Sequence, residues 1–179
     1  MSGTIDVPPR SIYCDTNVFI HGTEGEDNSP LRLAIRSLFL VDHGNKVPFI
    51  KTSLLTVSEL MVHPFRKKDA QLESDYRVFW QTNDFMVVGP VDLDILLNAA
   101  ELRANYSSLK LPDAIHLATA LAFGSTVFLT ADQGLNGEYR LNFRHSHPFY
   151  AGSTKGSGSI VVEHLSVESI AKLIEQITQ

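Results

Sequence analysis

The sequence predicts an α/β fold, a three-layer α/β/α sandwich in which helices cover both faces of a mainly parallel sheet of about five strands. Short apolar runs rich in β-branched residues alternate along the chain with longer segments of helical apolar spacing. Such alternation is typical of βαβ units, whose parallel strands are joined by helical crossovers. The clearest unit is 111–132, where Pro112 begins a helix, Gly124 ends it, and a buried strand follows over 126–130.

The remaining elements are assigned from the same apolar spacing and from capping residues. Four more strands are predicted, namely 11–14, 47–51, 85–88 and 159–165, the last at an edge of the sheet. Five more helices are predicted, namely 31–41, 54–63, 66–81, 92–106 and 167–177, of which the second is ended by His63-Pro64. Regular structure is not predicted for four segments, namely the extended leader 1–10, the turn 15–17, the acidic loop 22–29 and the irregular stretch after Asp132 with its flexible Gly/Ser loop 152–159.

Composition and charge describe an ordinary globular protein. The 179 residues are 44% hydrophobic and 20% charged, which suits one domain, 1–179, with a sizeable core. A net charge of −5 excludes the broad basic character of a protein that coats nucleic acid, so any such contact needs a local patch. Cys14 is the only cysteine, which excludes an internal disulfide and fits a reducing cytosol. No apolar stretch is long enough to span a bilayer, and we expect a cytoplasmic protein.

Four acidic residues occupy positions that the predicted topology brings together. Asp15 and Asp132 directly follow predicted strands, and Asp113 lies in the first turn of a helix. In a right-handed βαβ unit the helix runs antiparallel to its strands, so helix starts and strand ends share one edge of the sheet. Open α/β folds place their sites outside that edge. Glu59, which stands among apolar residues on the helix 54–63, is expected at the same edge.

The chemistry of such a cluster indicates a divalent cation. Several carboxylates repel one another when they are buried together, so the cluster persists when a cation neutralises it. Oxygen ligands with few nitrogen or sulfur neighbours favour Mg²⁺ or Mn²⁺ over zinc. An ion held in this way can activate water for attack on a phosphodiester and can stabilise the leaving oxygen. Metal-assisted phosphodiester hydrolysis is therefore the expected reaction.

Four segments, taken in order, resemble one known family. They read YCDTNVF, LTVSELMVHP, LPDAIHLATAL and FLTAD. In these segments the chain is similar to the PIN domain, a metal-dependent ribonuclease fold, over about 12–135, with a weaker match to the final strand and helix. The resemblance implies an endoribonuclease that uses Mg²⁺ or Mn²⁺. It also implies that Asp15, Glu59 and Asp113 are the main acidic ligands and catalytic residues, with Asp132 in support.

The resemblance extends to supporting residues and to partners. It implies that Thr130 joins the site through its hydroxyl and that Asn17 orients the first aspartate or the RNA substrate. Many members are toxins of bacterial toxin–antitoxin pairs, which a small partner protein holds inactive. A small antitoxin is therefore an expected protein partner. A homodimer is a separate expectation. The acidic loop 22–29 and the segment 134–159 depart from the compact toxins as extra length.

Several residues also have purely structural interpretations. Asp15 could be a turn residue, and Asp113 could be an acid favoured by the helix dipole. We expect His116 to be a hydrogen-bonded core histidine rather than a ligand. Arg140 and Arg144 lie beyond the last acid and are candidate RNA contacts. Two other groups are interpreted as structural: Arg66-Lys67-Lys68 as a solvated helix start, and Phe79 and Trp80 as part of the core.

Three other functions compete with an RNA-cleaving enzyme. A phosphatase of the haloacid dehalogenase type also begins with an aspartate after its first strand, but it needs a second acid two residues later, where this chain has Asn17. A non-catalytic RNA- or protein-binding module of the same fold would not need all four acids. A DNA-directed nuclease is the nearest alternative, because no residue in the sequence identifies a contact to a 2′-hydroxyl.

Overall fold

The computed structural model describes residues 11–42, 48–81, 85–142 and 157–178. These residues form a six-stranded sheet with eight helices. The strands are β1 (Ile12–Cys14), β2 (Ile50–Ser53), β3 (Met86–Gly89), β4 (Val127–Thr130), β5 (Glu138–Asn142) and β6 (Ser157–His164). The helices are α1 (Thr16–Thr23), α2 (Pro30–Phe39), α3 (Leu54–Leu60), α4 (Val62–Lys67), α5 (Ala70–Gln81), α6 (Leu93–Asn105), α7 (Leu111–Ala122) and α8 (Val167–Thr178). None of these helices combines the length and apolar character needed to cross a bilayer.

The sheet has the order β3-β2-β1-β4-β6-β5. Every neighbouring pair is parallel except β5 with β6, which is antiparallel. The predicted mixed α/β fold with a mainly parallel sheet is therefore confirmed, with six strands where about five were expected. From β1 the chain builds outward through β2 and β3 on one side, and it then returns to add β4 on the other side of β1. This reversal makes a topological switch point between the carboxyl ends of β1 and β4.

Two apolar clusters, one on each face of the sheet, form the core. Alternate residues of a strand point to opposite faces, and β1 divides accordingly: Tyr13 belongs to the cluster beneath α6 and α7, whereas Ile12 and Cys14 belong to the other. The second cluster contains buried residues of α1, α2 and α8, and Phe79 and Trp80 pack against it as expected. Helices on both faces give the three predicted layers.

The first helix was not predicted. The structure continues directly from Asp15 into α1, where the sequence was interpreted as a turn at 15–17 followed by a loop from Gly22. The Asp15 side chain accepts the Thr16 N–H at 2.7 Å and so caps the helix. Residues 18–20 are three consecutive apolar residues, and in a helix of only eight residues they obscure the 3.6-residue spacing. The apolar spacing therefore did not predict this helix.

The region between β2 and β3 holds three helices where two were predicted. The prediction that His63-Pro64 ends a helix is wrong, because α3 already ends at Leu60 and Pro64 lies in the first turn of α4. Proline is tolerated there, since the N–H that it lacks would have no partner within the helix. Lys68, with a φ of 54°, then ends α4. Residues 66–68 therefore close a helix, where the sequence was interpreted as a helix start.

The antiparallel edge was also missed. Residues after Asp132 were expected to be irregular, but 138–142 form β5, whose side chains alternate between exposed and buried. Because β5 covers β6, the prediction that β6 is an edge strand is wrong. Strand β6 begins at Ser157, inside the predicted loop 152–159, while the leader 1–10 and residues 152–156 lie outside the described residues.

Candidate active site

A cleft of about 410 Å³ opens at the carboxyl edge of the sheet, beside the switch point between β1 and β4. Its walls come from α1, α3, α4, α7 and the turn after β4. The lining residues are Asp15, Thr16, Asn17, Ile20, Glu59, Val62, Asp113, His116 and Asp132. All four acids that the sequence placed at this edge therefore line one cleft.

Asp15 is the most firmly held of the four acids. It follows β1, is only 7% exposed, and accepts a hydrogen bond on each carboxylate oxygen. Oδ1 accepts from the Thr16 N–H at 2.7 Å, and Oδ2 accepts from Thr130 Oγ1 at 2.7 Å and from Asn17 Nδ2 at 3.3 Å. Thr130 and Asn17 thus both contact Asp15, and together they fix the orientation of this carboxylate.

Glu59 reaches the cleft from α3 and is held by neighbours on two other elements. The Thr16 hydroxyl donates to Glu59 Oε2, and His116 Nε2 lies 3.1 Å from the same oxygen. Burial acts to raise the pKa of Glu59, but the hydrogen bonds from His116 and Thr16 and the positive charge that His116 can carry outweigh it, so the pKa is lowered. Glu59 is therefore ionised at neutral pH and available as a ligand.

His116 connects this carboxylate to the core. It lies one turn after Asp113 on α7, is 2% exposed, and places Nδ1 2.8 Å from the Tyr13 hydroxyl. Burial raises the pKa of Tyr13, so the phenol keeps its proton. Carboxylates only accept hydrogen bonds, so Nε2 carries a proton toward Glu59, and in the neutral ring Nδ1 accepts from Tyr13. His116 is therefore buried and hydrogen-bonded, as expected, while its exclusion as a metal ligand stays a prediction.

The same nitrogen also belongs to a compact group of candidate ligand atoms. His116 Nε2 lies 3.7 Å from Asp15 Oδ1. One ligand atom each from Asp15, Glu59 and His116 lies within 4.8 Å of the other two. Since Nε2 cannot donate a hydrogen bond and bind a metal at once, the two carboxylates are the ligands that this hydrogen-bonded arrangement leaves free.

Asp113 and Asp132 complete the negative charge of the cleft. Burial raises the pKa of Asp113, as do the negative charges of Asp132 and Asp15, while Lys110 and His116 oppose the rise. No described residue donates a hydrogen bond to the Asp113 carboxylate. Asp132 instead accepts the Gly134 N–H at 2.7 Å on Oδ1, which shapes the turn after β4. Asp113 is therefore crowded by other acids and receives no hydrogen bond from a described residue, an arrangement that a bound cation would stabilise.

The donor set fits a hard divalent cation. The four carboxylates that line the cleft offer oxygen atoms of the kind that Mg²⁺ and Mn²⁺ prefer, although only those of Asp15 and Glu59 belong to the compact group. Burial is the main cause of the raised pKa of Asp113, and a cation would relieve the further rise that Asp132 and Asp15 cause. A comparison with known protein families covers the same four acids. The PIN domain profile matches residues 12–137, a span that contains all four acids. The chain belongs to the PIN domain family.

Solved structures of similar fold include bacterial toxin–antitoxin proteins. A chain of a toxin–antitoxin complex from Klebsiella pneumoniae is 28% identical to this PIN domain, with a TM-score of 0.50, over 68% of this chain and 87% of that one. Two more distant structures show the fold alone. VapC20 of Mycobacterium tuberculosis, a sarcin-ricin loop cleaving toxin, is 18% identical (TM-score 0.51, covering 66% and 87%), and DNA-bound VapBC from Salmonella typhimurium is 17% identical (TM-score 0.54, covering 88% and 99%). None of the curated proteins matches the sequence.

Sequence reasoning missed two residues that hold the acids of this PIN domain in place. Thr16 was interpreted as part of a turn, yet its hydroxyl donates to Glu59. Tyr13 was assigned only to a strand, although it faces the opposite side of the sheet from Ile12 and Cys14 and so reaches His116. The signal for Tyr13 was the alternation of β1 itself, which directs the one polar side chain of the strand toward α7.

Arg140, one of the two arginines proposed as RNA contacts, does not line the cleft. Arg140 pairs with Ser159 across β5 and β6, whereas Thr130, at the cleft, pairs with His164. Five residues of β6 separate these levels, which corresponds to about 16 Å along the sheet. Arg140 Nη2 also lies 2.9 Å from Glu138 Oε2, so this arginine forms an ion pair with an acid of its own strand. Arg144 lies outside the described residues.

Proposed function

We propose that this protein is an Mg²⁺- or Mn²⁺-dependent endoribonuclease that hydrolyses phosphodiester bonds of RNA. The observation that carries the proposal is the convergence of four acids from separate elements at the switch point of a PIN domain. No ordinary structural role accounts for all of them, since Asp113 receives no hydrogen bond from a described residue. A cleft of this negative charge repels a phosphodiester unless a cation is bound, so the substrate should enter the cleft only when the metal is present.

The proposed ligands are Asp15, Glu59 and Asp113, with Asp132 in support. The bound ion would supply the positive charge that activates water and stabilises the leaving oxygen of the phosphodiester. The chain's contribution is to hold the ligands in place before the metal arrives. Thr130 and Asn17 fix Asp15, while Thr16 and the His116–Tyr13 pair fix Glu59. Such supporting contacts typically contribute 10- to 100-fold to metal affinity or activity.

Metal binding should be visible in the melting temperature. An ion that binds only the native state stabilises it by RT ln(1 + [M]/Kd), about 2.7 kcal/mol at a hundredfold excess over Kd. For a protein of this size that corresponds to a rise of roughly 5–10 °C. We expect this rise on adding millimolar Mg²⁺ or Mn²⁺ to EDTA-treated protein, measured by calorimetry. The Glu59→Gln variant is the matched control and should show a smaller rise, whereas an unchanged melting temperature in the parent would contradict a divalent site.

The choice of nucleic acid is tested by cleavage of matched single-stranded RNA and DNA of one sequence. RNA should be cut, EDTA should stop the reaction, and Mn²⁺ should restore it. Equal cleavage of DNA would indicate the DNA-directed nuclease instead. Metal binding without cleavage of either strand would favour the non-catalytic module.

A small antitoxin partner is also proposed, on two observations. The family resemblance implies it, and the similar chain from Klebsiella pneumoniae comes from a toxin–antitoxin complex. A toxin role follows from the same proposal. The homodimer and the cytoplasmic location stay predictions that no observation on this chain yet tests.

A further inference from the structure

An exposed aromatic and basic ridge lies on α4, beside the cleft. We call Phe65, Arg66, Lys67 and Lys68 the α4 ridge. Phe65 is 58% exposed, and it is the only phenylalanine of the described residues among the exposed large apolar side chains. Other described phenylalanines, such as Phe19 and Phe128, lie in the core. A single exposed apolar side chain is common, but an exposed aromatic ring beside consecutive cations is the combination that single-stranded nucleic acid binds.

The ridge is continuous with the cleft. Val62, the first residue of α4, lines the cleft. Phe65 and Arg66 follow it by three and four residues, so their side chains project from the same face of the helix, about one 5.4 Å turn away. Pro64 lies on the opposite face and is buried, which anchors α4 with the Val62 face outward. A strand of nucleic acid leaving the cleft past Val62 would therefore meet Phe65 and Arg66 next.

The charge of the ridge suits a phosphate backbone. Arg66, Lys67 and Lys68 are three consecutive exposed cations in a protein of net charge −5. None of the three forms an ion pair with an acid in the described part of the chain, whereas Arg32, Arg77 and Arg140 each pair with an acid. Asp69, the nearest acid in sequence, uses Oδ1 to accept the Leu72 N–H at 3.0 Å. The ridge thus keeps its positive charge available for a ligand.

We propose that the α4 ridge binds a single-stranded stretch of the RNA substrate outside the cleft. An unpaired base stacks on the Phe65 ring, Arg66 contacts the adjacent phosphate, and Lys67 and Lys68 add attraction to the backbone. Bases in a duplex are already stacked and do not present a free face, so the ridge selects unpaired RNA such as a loop or a single strand. This inference rests on the proposed ribonuclease function and adds the class of RNA.

The test measures RNA binding without cleavage, with the full chain carrying Asp113→Asn, in millimolar Mg²⁺ so that the cation offsets the repulsion between the cleft and the phosphodiester. Fluorescence anisotropy follows a labelled 12-nucleotide single-stranded RNA and a hairpin stem of equal length. Removing the ring by Phe65→Ala should weaken single-strand binding by about five- to 150-fold, the loss typical of one stacked base. Phe65→Tyr should restore binding, because it keeps the ring. Binding to the stem should change little in either variant.

The cations are tested by the salt dependence of binding. Each phosphate contact on a single strand contributes about 0.7 to the slope of log K against log salt, so Arg66→Ala combined with Lys67→Ala should flatten the slope by about 1.4. Lys172→Ala is the matched control, since Lys172 is an exposed cation on α8 at a distance from the cleft, and it should leave the slope unchanged.

The outcomes separate this inference from the proposed function. If RNA binds equally well to the ridge variants and to their Asp113→Asn background, or if stem and single strand lose equal affinity, the ridge proposal is wrong while the ribonuclease proposal stands. If the Asp113→Asn background binds no RNA although the parent cuts it, the ridge proposal is wrong. If the parent cuts none either, both proposals fail. Loss of binding to an acidic protein partner, with RNA binding intact, would also overturn the proposal and assign the ridge to that partner.

Discussion

Replacing Asp113 by asparagine should abolish RNA cleavage, while the variant melts in EDTA at the temperature of the parent or higher. The amide keeps the shape of the side chain but removes a negative charge that Asp132 and Asp15 repel. Loss of favourable helix dipole energy, about 0.3–1 kcal/mol for an exposed group, opposes this gain. The carboxylate accepts no hydrogen bond from a described residue, so no structural contact is lost. Cleavage should fall by more than about 100-fold, beyond the effect typical of outer-shell residues.

The pH dependence of this comparison has a definite sign. Because the pKa of Asp113 is raised in the folded protein, protonation favours folding, and that stability is lost as the pH rises through the folded pKa. At neutral pH the charged aspartate therefore costs the parent stability that the asparagine variant does not lose. The advantage of the variant should shrink as the pH falls toward the ordinary carboxyl range, as followed by thermal melts in EDTA between pH 7 and pH 3. A variant that is clearly less stable at pH 7 and cleaves normally would show that Asp113 is a structural acid.

Asp15→Asn should abolish cleavage as well, but it should also destabilise the protein in EDTA. Asp15 accepts hydrogen bonds from Thr16 N–H, Thr130 Oγ1 and Asn17 Nδ2, and the buried amide would turn an NH₂ group toward one or more of these donors. Losing a hydrogen bond to a charged group typically costs about 1.5–3 kcal/mol. Denaturant unfolding in EDTA measures the loss. Asp113→Asn is the matched control, since it removes the same charge from the same cleft without removing a described hydrogen bond.

The Asp15→Asn and Asp113→Asn variants should therefore differ in stability in EDTA. Equal stability of the two variants in EDTA would contradict the hydrogen-bond network around Asp15. Normal cleavage by Asp15→Asn would contradict its assignment as a ligand.

The positions of three of the four acids could be predicted because strand ends and helix starts have fixed places in a βαβ unit, whereas Glu59 lies near the end of α3. Asp15 and Asp132 follow from the strands before them, and Asp113 follows from the proline and glycine that bound its helix. Their placement needed only the direction of each element. The exact pairing of the strands was not required.

The contacts that hold the acids could not be predicted in the same way. Tyr13 and His116 are 103 residues apart, and their hydrogen bond depends on α7 packing over β1, which no local pattern reports. The exposure of Phe65 was hidden for a similar reason. The sequence assigned 66–68 to the start of a helix. The structure shows instead that α4 ends at Lys67, before Lys68 in the left-handed region, and that buried Pro64 leaves the Phe65 ring on the exposed face.

Strand β5 illustrates a third limit. Its alternation of buried and exposed residues is short, and its place in the sheet depends on β6, which follows it across the undescribed residues 143–156. Pairing over such a distance is set by the sheet and not by the segment. The same register separates Arg140 from the cleft, so this error in the fold also affected a predicted RNA contact.

The most direct test of the divalent site is the rate of RNA cleavage as Mn²⁺ is titrated into EDTA-treated protein, with Glu59→Gln measured beside the parent. We expect no cleavage without metal, a saturable rise in the parent, and activation of the variant only at higher Mn²⁺, since one ligand then lacks its charge. Cleavage of RNA by the parent at full rate in EDTA, or identical activation of parent and variant, would contradict a catalytic metal held by these acids.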